Sequence, residues 1–282
     1  MICFPNSKIT HSSVLKEVPT PTGDTSLFSF EISGHPFMAI NAGPLFRINP
    51  SISLMVNFDP SRDPQAREHL DELWKKLEKG GKARMALGEY PFSKRYGWIE
   101  DRFGLNWQLI LTNPQGEPRP LLIPSLMFTR QMAGRAEEAI DFYCSIFKDG
   151  KRGFTARYPR GAEPDKEGTL TFADFNLLGT WFGAMDSAQP HEFSFNEAVS
   201  LLVPCDNQDE IDYYWGKLSA DPQSGTCGWI KDKFGVSWQI WPKVMGEMMA
   251  KGKPDQIGRM TQAFLKMKKF NVAELQKAFA GK

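Results

Sequence analysis

Long apolar runs are missing from this 282-residue chain: none approaches the roughly 18 residues of a membrane-spanning helix. The segment from Met1 to Lys16 also lacks the charged-then-apolar order of a secretory leader. Cysteine is scarce. Cys3, Cys144, Cys205 and Cys227 stand far apart with no C-x-x-C pair, which argues against a zinc ribbon or a disulfide scaffold and points to a reducing, cytoplasmic setting. An excess of one charge is lacking as well. Lys plus Arg number 34 against 33 Asp plus Glu, so the net charge of +1 gives no electrostatic reason for a nucleic-acid or membrane partner. A small neutral or apolar organic molecule fits better. The length suits two domains of ordinary size.

What is present is an internal repeat. Gly97-Trp98-Ile99-Glu100-Asp101-Arg102-Phe103-Gly104-Leu105-Asn106-Trp107-Gln108 matches Gly228-Trp229-Ile230-Lys231-Asp232-Lys233-Phe234-Gly235-Val236-Ser237-Trp238-Gln239. Upstream, the block from Phe46 to Val56 aligns with that from Phe193 to Val203, and Phe37 to Asn41 aligns with Phe182 to Asp186. The blocks keep their order.

Each block reads as an element. Ser51 to Val56 and Ala198 to Val203 are short apolar runs of buried-strand type. Asp63-Pro64 predicts a helix start, with Ala66, Leu70, Leu73, Trp74 and Leu77 on one face and Gly80-Gly81 as the stop. A weaker helix carries Ile211, Tyr214 and Leu218. Trp98 to Asp101, a turn at Gly104, and Leu105 to Leu111 predict a hairpin. Leu121 to Phe128 predicts another strand, followed by a helix from about Gly134 to Phe147 bearing Ala136, Ile140, Tyr143 and Phe147. The second half thus reads as two β-α-β-β-β modules. A Pro/Gly-rich stretch, Asn113 to Pro120, predicts domains at 1–115 and 119–245, and a helical tail fills 246–282 with Asn271 and Glu274 capping its last helix.

The repeated hairpin motif, the helix Ala136-Glu137-Glu138-Ala139-Ile140-Asp141-Phe142-Tyr143 and the strand Phe195-Asn196-Glu197-Ala198-Val199-Ser200 together resemble the PhnB-like branch of the glyoxalase/bleomycin-resistance, or vicinal-oxygen-chelate, superfamily. This branch often carries the domain label 3-demethylubiquinone-9 3-methyltransferase. The resemblance implies an α+β fold of tandem cup-shaped domains. It leaves the activity open, because that scaffold hosts isomerases, dioxygenases, thiol transferases and drug-binding proteins. The methyltransferase label finds no glycine-rich strand-to-helix turn of the kind that holds a methyl donor.

Superfamily enzymes hold a divalent metal in the cup, with a last glutamate ligand four residues after the hairpin glycine. That count lands on Gln108 and Gln239, and the other ligand positions fall at about Ile52 and Val199 and at about Phe37 and Phe182. Amide and apolar side chains are poor ligands, so neither metal nor cofactor is expected. His11, His35, His69 and His191 show no shared spacing. Strand alternation then predicts what lines the cup: Ser237, Gln239 and Trp241, with Phe182, Ala184 and Asp186 from the other module, and in the first repeat Asn106, Gln108 and Ile110 with Phe37, Ala39 and Asn41. The candidate ligand-binding residues are therefore Phe37, Asn41, Asn106, Gln108, Phe182, Asp186, Ser237, Gln239 and Trp241. Trp98, Trp107, Trp229 and Trp238 read as core.

Three functions compete: a metal-free cup binding a small planar or amphipathic molecule, a superfamily enzyme with a rearranged site, or a structural oligomer whose aromatics fill the cups. The first repeat has no counterpart of the strand Leu121 to Phe128 or of most of the helix after it. Its module is expected to be completed by chain upstream of Met1, by the tail, or by a second copy in a homodimer, a common assembly in the resembling family.

Overall fold

The computed structural model describes residues 4–15, 24–41, 43–113, 117–223 and 225–282. Cys3, part of the N-terminal segment and the middle of the 113–120 stretch lie outside them. In chain order the elements are β1 (Lys8–Leu15), β2 (Thr25–Ile32), β3 (His35–Ile40), β4 (Ile52–Phe58), α1 (Ala66–Leu77), β5 (Lys82–Tyr90), β6 (Ser93–Glu100), β7 (Asn106–Leu111), β8 (Leu122–Thr129), α2 (Ala136–Ile146), β9 (Lys151–Arg157), β10 (Leu170–Leu177), β11 (Thr180–Ser187), β12 (Leu201–Cys205), α3 (Gln208–Leu218), β13 (Trp229–Lys231), β14 (Ser237–Pro242), α4 (Lys243–Lys251), α5 (Pro254–Phe264) and α6 (Val272–Ala280). The fold is α+β.

Local chemistry explains most boundaries. Asp63 does not cap α1 at the predicted place, because the helix begins at Ala66. Its carboxylate takes the Gln65 N–H at 3.0 Å and its carbonyl takes that of Ala66 at 3.0 Å, one step ahead of the first helical turn. Asn207 caps α3 and Asn271 caps α6, each accepting the N–H of the glutamate three residues on. The strand expected from Ala198 starts later, at Leu201, because Asn196 bends the chain and takes the Ala198 N–H on its side chain at 3.0 Å.

The hairpin motif rests on one aspartate. The Asp101 carboxylate accepts from the N–H groups of Phe103 and Leu105 and from the Trp107 indole at 2.9 Å; Asp232 does the same for Phe234, Val236 and Trp238. Gly104 and Gly235 complete the turns at φ +90° and +86°. The repeated Asp, Phe, Gly and Trp are thus one hydrogen-bonded turn, written twice.

The strands form an eight-stranded sheet in the order β5-β6-β7-β4-β8-β11-β10-β9 and two three-stranded sheets, β1-β2-β3 and β12-β14-β13. The large sheet draws on both repeats. β4 pairs in parallel with β7 and antiparallel with β8, Ile52 lying opposite Leu126 and Val56 opposite Leu122. The sequence repeat and the compact units divide the chain at different places. The 113–120 stretch connects two strands that flank β4 in one sheet; a first repeat folding alone would leave the β8 side of β4 as an open edge. The compact units run instead as 47–195 with the N-terminal end through Asn6, and as 7–46 with 196–282. The first unit joins the second half of repeat one to the first half of repeat two. The second unit holds the remaining halves.

Each unit has its own core. In the first, α1 buries Leu70, Leu73 and Trp74 and α2 buries Ala139, Ile140 and Tyr143. In the second, the tail helices bury Met245, Met248, Met260, Phe264 and Leu275 around Phe270, with Trp241 and Cys227 packed against them. The first module of repeat one consists, among the described residues, of β1, β2 and β3 alone.

Candidate ligand cup

The inner face of the first unit's sheet is built from alternate residues. Ser53 and Met55 of β4, Ser125 and Met127 of β8, Tyr96 and Trp98 of β6, Gln108 and Ile110 of β7, and Trp181 and Met185 of β11 all turn the same way. Tyr96, Trp98, Met127 and Met185 form one buried cluster, and Met55, Ile123 and Trp181 a second, with Ile110 and Phe172 touching both. Gln108 sits between them, fully committed: its amide oxygen accepts from the Tyr96 hydroxyl at 2.7 Å and its amide nitrogen donates to Ser53 Oγ at 2.8 Å. Burial pushes the Tyr96 hydroxyl far above its ordinary pKa, so it stays a donor. Ser53 lies directly across from Ser125 in the β4/β8 pair, at the middle of the cup. The Ser125 hydroxyl is buried and makes no hydrogen bond.

Asn106 is also saturated, its side-chain oxygen taking the Arg84 Nε at 2.8 Å and the Trp98 indole at 3.2 Å while its nitrogen donates to the Gly104 carbonyl. The inner face is lined by aromatic rings, thioethers, the Ser53, Ser125 and Tyr96 hydroxyls and the Gln108 amide, and at its margins by the ion pairs of Asp174 with Arg119 and Glu100 with Arg84.

The expectation for β11 is corrected by one residue. Phe182 and Asp186 face α2, not the cup. Phe182 stacks on Phe175 at 5.5 Å, and Tyr143 of α2 stacks on that same Phe175. Asp186 accepts from the N–H groups of Gly134, Ala136 and Leu170 at 2.8 to 3.0 Å, bracing the start of α2. Burial raises its pKa, and those three bonds act in the opposite direction. A one-residue slip exchanges the two faces of a strand. Ile52 is displaced the same way, and Ser53 is the residue that faces inward.

The other candidates fall in the second unit. Gln239 is half-buried and donates to Ser200 Oγ at 2.8 Å; Ser237 donates to the Asn196 carbonyl at 3.4 Å. Trp241 meets Phe270 edge-on in the tail core, so it belongs to packing and not to a cup. Phe37 stacks on Phe30, and Asn41 is exposed at the end of β3. Of the nine residues, Asn106, Gln108, Phe182 and Asp186 thus belong to the first unit and Phe37, Asn41, Ser237, Gln239 and Trp241 to the second. Sequence reasoning missed Ser53, Ser125, Met127 and Met185. A signal was available in the shared Ser-Leu-Met of 53–55 and 125–127, a hydroxyl inside an otherwise apolar strand.

The donor atoms on the inner face that lie outside ion pairs include Ser53, Ser125, Gln108 and Met185. Two hydroxyls, an amide and a thioether do not fit a divalent metal, which prefers carboxylate, imidazole or thiolate. Outside the cup, a cleft of about 490 Å³ lies beside α1, where His69 pairs with Asp63 at 2.6 Å, raising the imidazole's pKa and lowering the carboxyl's. The thiol of Cys205 is pushed up to about 12 by burial, which leaves it unreactive. No described helix is long and apolar enough to cross a membrane.

This arrangement, two βαβββ modules sharing one curved sheet with helices on its outer face, defines a glyoxalase-type cup. The family model of 3-demethylubiquinone-9 3-methyltransferase matches residues 1–110 and again 120–241, and the chain belongs to that PhnB-like family. Among solved structures it is similar to a Bacillus cereus PhnB protein described as a 3-demethylubiquinone-9 3-methyltransferase, at 33% identity over 39% of this chain and 83% of that one, TM-score 0.34. Protein PA1353 of Pseudomonas aeruginosa is 24% identical over 34% of this chain and 69% of that one, TM-score 0.28. A Bacillus subtilis protein described as a dioxygenase is 10% identical over 82% and 77%, TM-score 0.43. No curated protein matches.

Proposed function

We propose that the first unit is a binding module for a small, flat, largely apolar organic molecule, taken into the cup without a metal or cofactor. The observation that carries this reading is the buried, unpartnered Ser125 hydroxyl on the inner face. Buried hydroxyls are nearly always paired, and one left over among rings and thioethers is ready for a ligand's polar atom. Entry requires the Met127 and Met185 side chains to give way, which flexible thioethers do readily.

An enzyme reading has less support. The carboxylates on this face, Asp174 and Glu100, are held in ion pairs with Arg119 and Arg84, and the Tyr96 hydroxyl is spent on Gln108, which leaves little for acid-base or nucleophilic work. Methyl transfer, named in the family's description, lacks the parallel α/β sheet that usually holds the methyl donor. The separate, unbridged Cys144, Cys205 and Cys227 support a reducing, cytoplasmic setting.

Thermal unfolding with 1,4-naphthoquinone, 2-naphthol and phenazine as probes tests the reading. Stabilisation by at least one probe, lost in Ser125→Ala and kept in Ser145→Ala on the outside of α2, is expected. Equal stabilisation of both variants, or none for any probe, would count against it.

A further inference from the structure

One hydroxyl of the inner face stands apart from those at its centre. Alternation from Trp181 and Met185 puts Ser187 on that face at the end of β11, opposite Thr129 in the parallel β11/β8 pair. Ser187 is 5% exposed, and its Oγ lies 2.7 Å from Nε2 of His191. The loop after β11 makes this contact by folding back over the strand. Asp165 accepts the Ala188 N–H at 2.6 Å and the Gln189 side-chain amide at 3.2 Å. The His191 N–H donates to the Gln189 carbonyl at 2.7 Å, and Thr129 Oγ1 donates to the Phe193 carbonyl at 2.7 Å. The serine and the imidazole are thus held together from both sides of the loop.

The setting suits a nucleophile and its base. Burial lowers the His191 pKa from its ordinary 6.5, so the ring is neutral near pH 7 and Nε2 can accept a proton from Ser187. Two charged groups act on the ring, Asp165 raising that pKa and Arg84 lowering it. Arg84 belongs to the same end of the cup. β8 ends on the side of the sheet where β4 and β7 begin, and Arg84 bonds there to Asn106 and Glu100 through Nε and Nη2. Its Nη1 makes no hydrogen bond among the described residues. The apolar part of a ligand has its place alongside: Phe193, 4.8 Å from the His191 ring, packs on the cluster of Tyr96, Trp98, Met127 and Met185. Met185 is two residues, about 7 Å, from Ser187 along β11. An aryl ring over the thioethers brings an ester carried on that ring to the hydroxyl.

We propose that Ser187 and His191 are a nucleophile–base pair that takes an acyl group from a small aryl ester seated in the first unit's cup. The proposal rests on the reading of that cup as a ligand site. Ser187 Oγ bonds to the ester carbonyl carbon while His191 Nε2 takes the hydroxyl proton, and Arg84 supplies positive charge for the oxyanion. The bond from that carbon to the aryl oxygen then breaks, and the aryl alcohol leaves with the proton from His191. Water, deprotonated by the same nitrogen, cleaves the acyl-serine to a carboxylic acid and restores the hydroxyl.

Incubation of the full chain with 2-naphthyl acetate tests it. Release of 2-naphthol is expected, together with an acetyl adduct that peptide mass mapping of the wild type locates at Ser187. That mapping decides the matter even if a variant fails to fold. Ser187→Ala should release naphthol only at the uncatalysed rate, and His191→Gln should be slower than wild type by at least about 100-fold. Both should still be stabilised by 2-naphthol, and Ser145→Ala should keep the wild-type rate. The wild-type rate should rise with pH, with a midpoint below 6.5, as the imidazole loses its proton. Stabilisation by 2-naphthol with no adduct at Ser187, adducts on lysines alone, or acylation as fast in His191→Gln as in wild type would overturn the proposal and leave the cup reading standing. No stabilisation by any probe would remove the cup reading and the proposal with it.

Discussion

The hairpins at 97–108 and 228–239 fold by one rule and work in two settings. Both turn on an aspartate that gathers two backbone N–H groups and an indole, and both place a glutamine four residues past the turn glycine. Gln108 is then enclosed, with both ends of its amide engaged in the inner face of an eight-stranded sheet. Gln239 stands half-exposed on a three-stranded sheet, with its nitrogen bonded to Ser200. Even the shared glycine answers to different needs. At Gly97 a Cβ would lie 2.5 Å from the Trp74 ring of α1, whereas Gly228 takes a left-handed φ of +78° against Phe270 of the tail. A motif fixes its own turn; the strands and helices that happen to flank it decide what its side chains do.

The largest effect is expected at the turn aspartates. Asp232 is buried with three donors aimed at it, so Asp232→Ala should cost about 3 kcal/mol, and Asp101→Ala, closer to solvent, about 1 to 2 kcal/mol. Urea unfolding followed by tryptophan fluorescence measures both. Equal costs would mean that burial does not separate the two hairpins.

The glutamines give a smaller contrast. Gln108→Leu strips partners from the buried Tyr96 and Ser53 hydroxyls and should cost about 2 kcal/mol. Gln239→Leu should stay within about 0.5 kcal/mol, as a half-exposed position permits. The reverse ranking in the same unfolding assay would break the comparison.

The smallest effect is electrostatic and confined to the first unit. Hydrogen bonds from Arg157 and Arg152 lower the Glu137 pKa from 4.5 to about 2. A depressed carboxyl stabilises the fold above its unfolded pKa, and that contribution fades as pH falls toward the folded value. Exposure of the side chain keeps the effect modest. The stability gap between wild type and Glu137→Gln should stay constant from about pH 5 to 8 and close by about pH 2. A gap that persists at the acid end would contradict the assignment.

Legibility in the sequence followed the range of the interaction. The helix faces of α1, α2 and α3 and both hairpins could be read because capping, turn chemistry and helical period are local. The inward face of β11 could not. Trp181-Phe182-Gly183-Ala184-Met185 is buried on both sides, so it shows no alternation to set the phase. The exchange of halves between repeats was hidden for another reason. β4 and β12 carry similar apolar patterns, so either could accept β8, and nothing local in 113–120 separates a crossover within a sheet from a link between domains. Of the nine expected ligand residues, only Gln108 is central to the first unit's inner face.

The central claim is that the folding unit spans the repeat boundary. Expressing residues 47–195 and residues 119–245 as separate fragments and comparing their urea unfolding tests it most directly. The account predicts a cooperative transition for 47–195, which holds all eight strands of the large sheet, and none for 119–245, where β8 would lose β4. Cooperative unfolding of 119–245 with an unstructured 47–195 would contradict it.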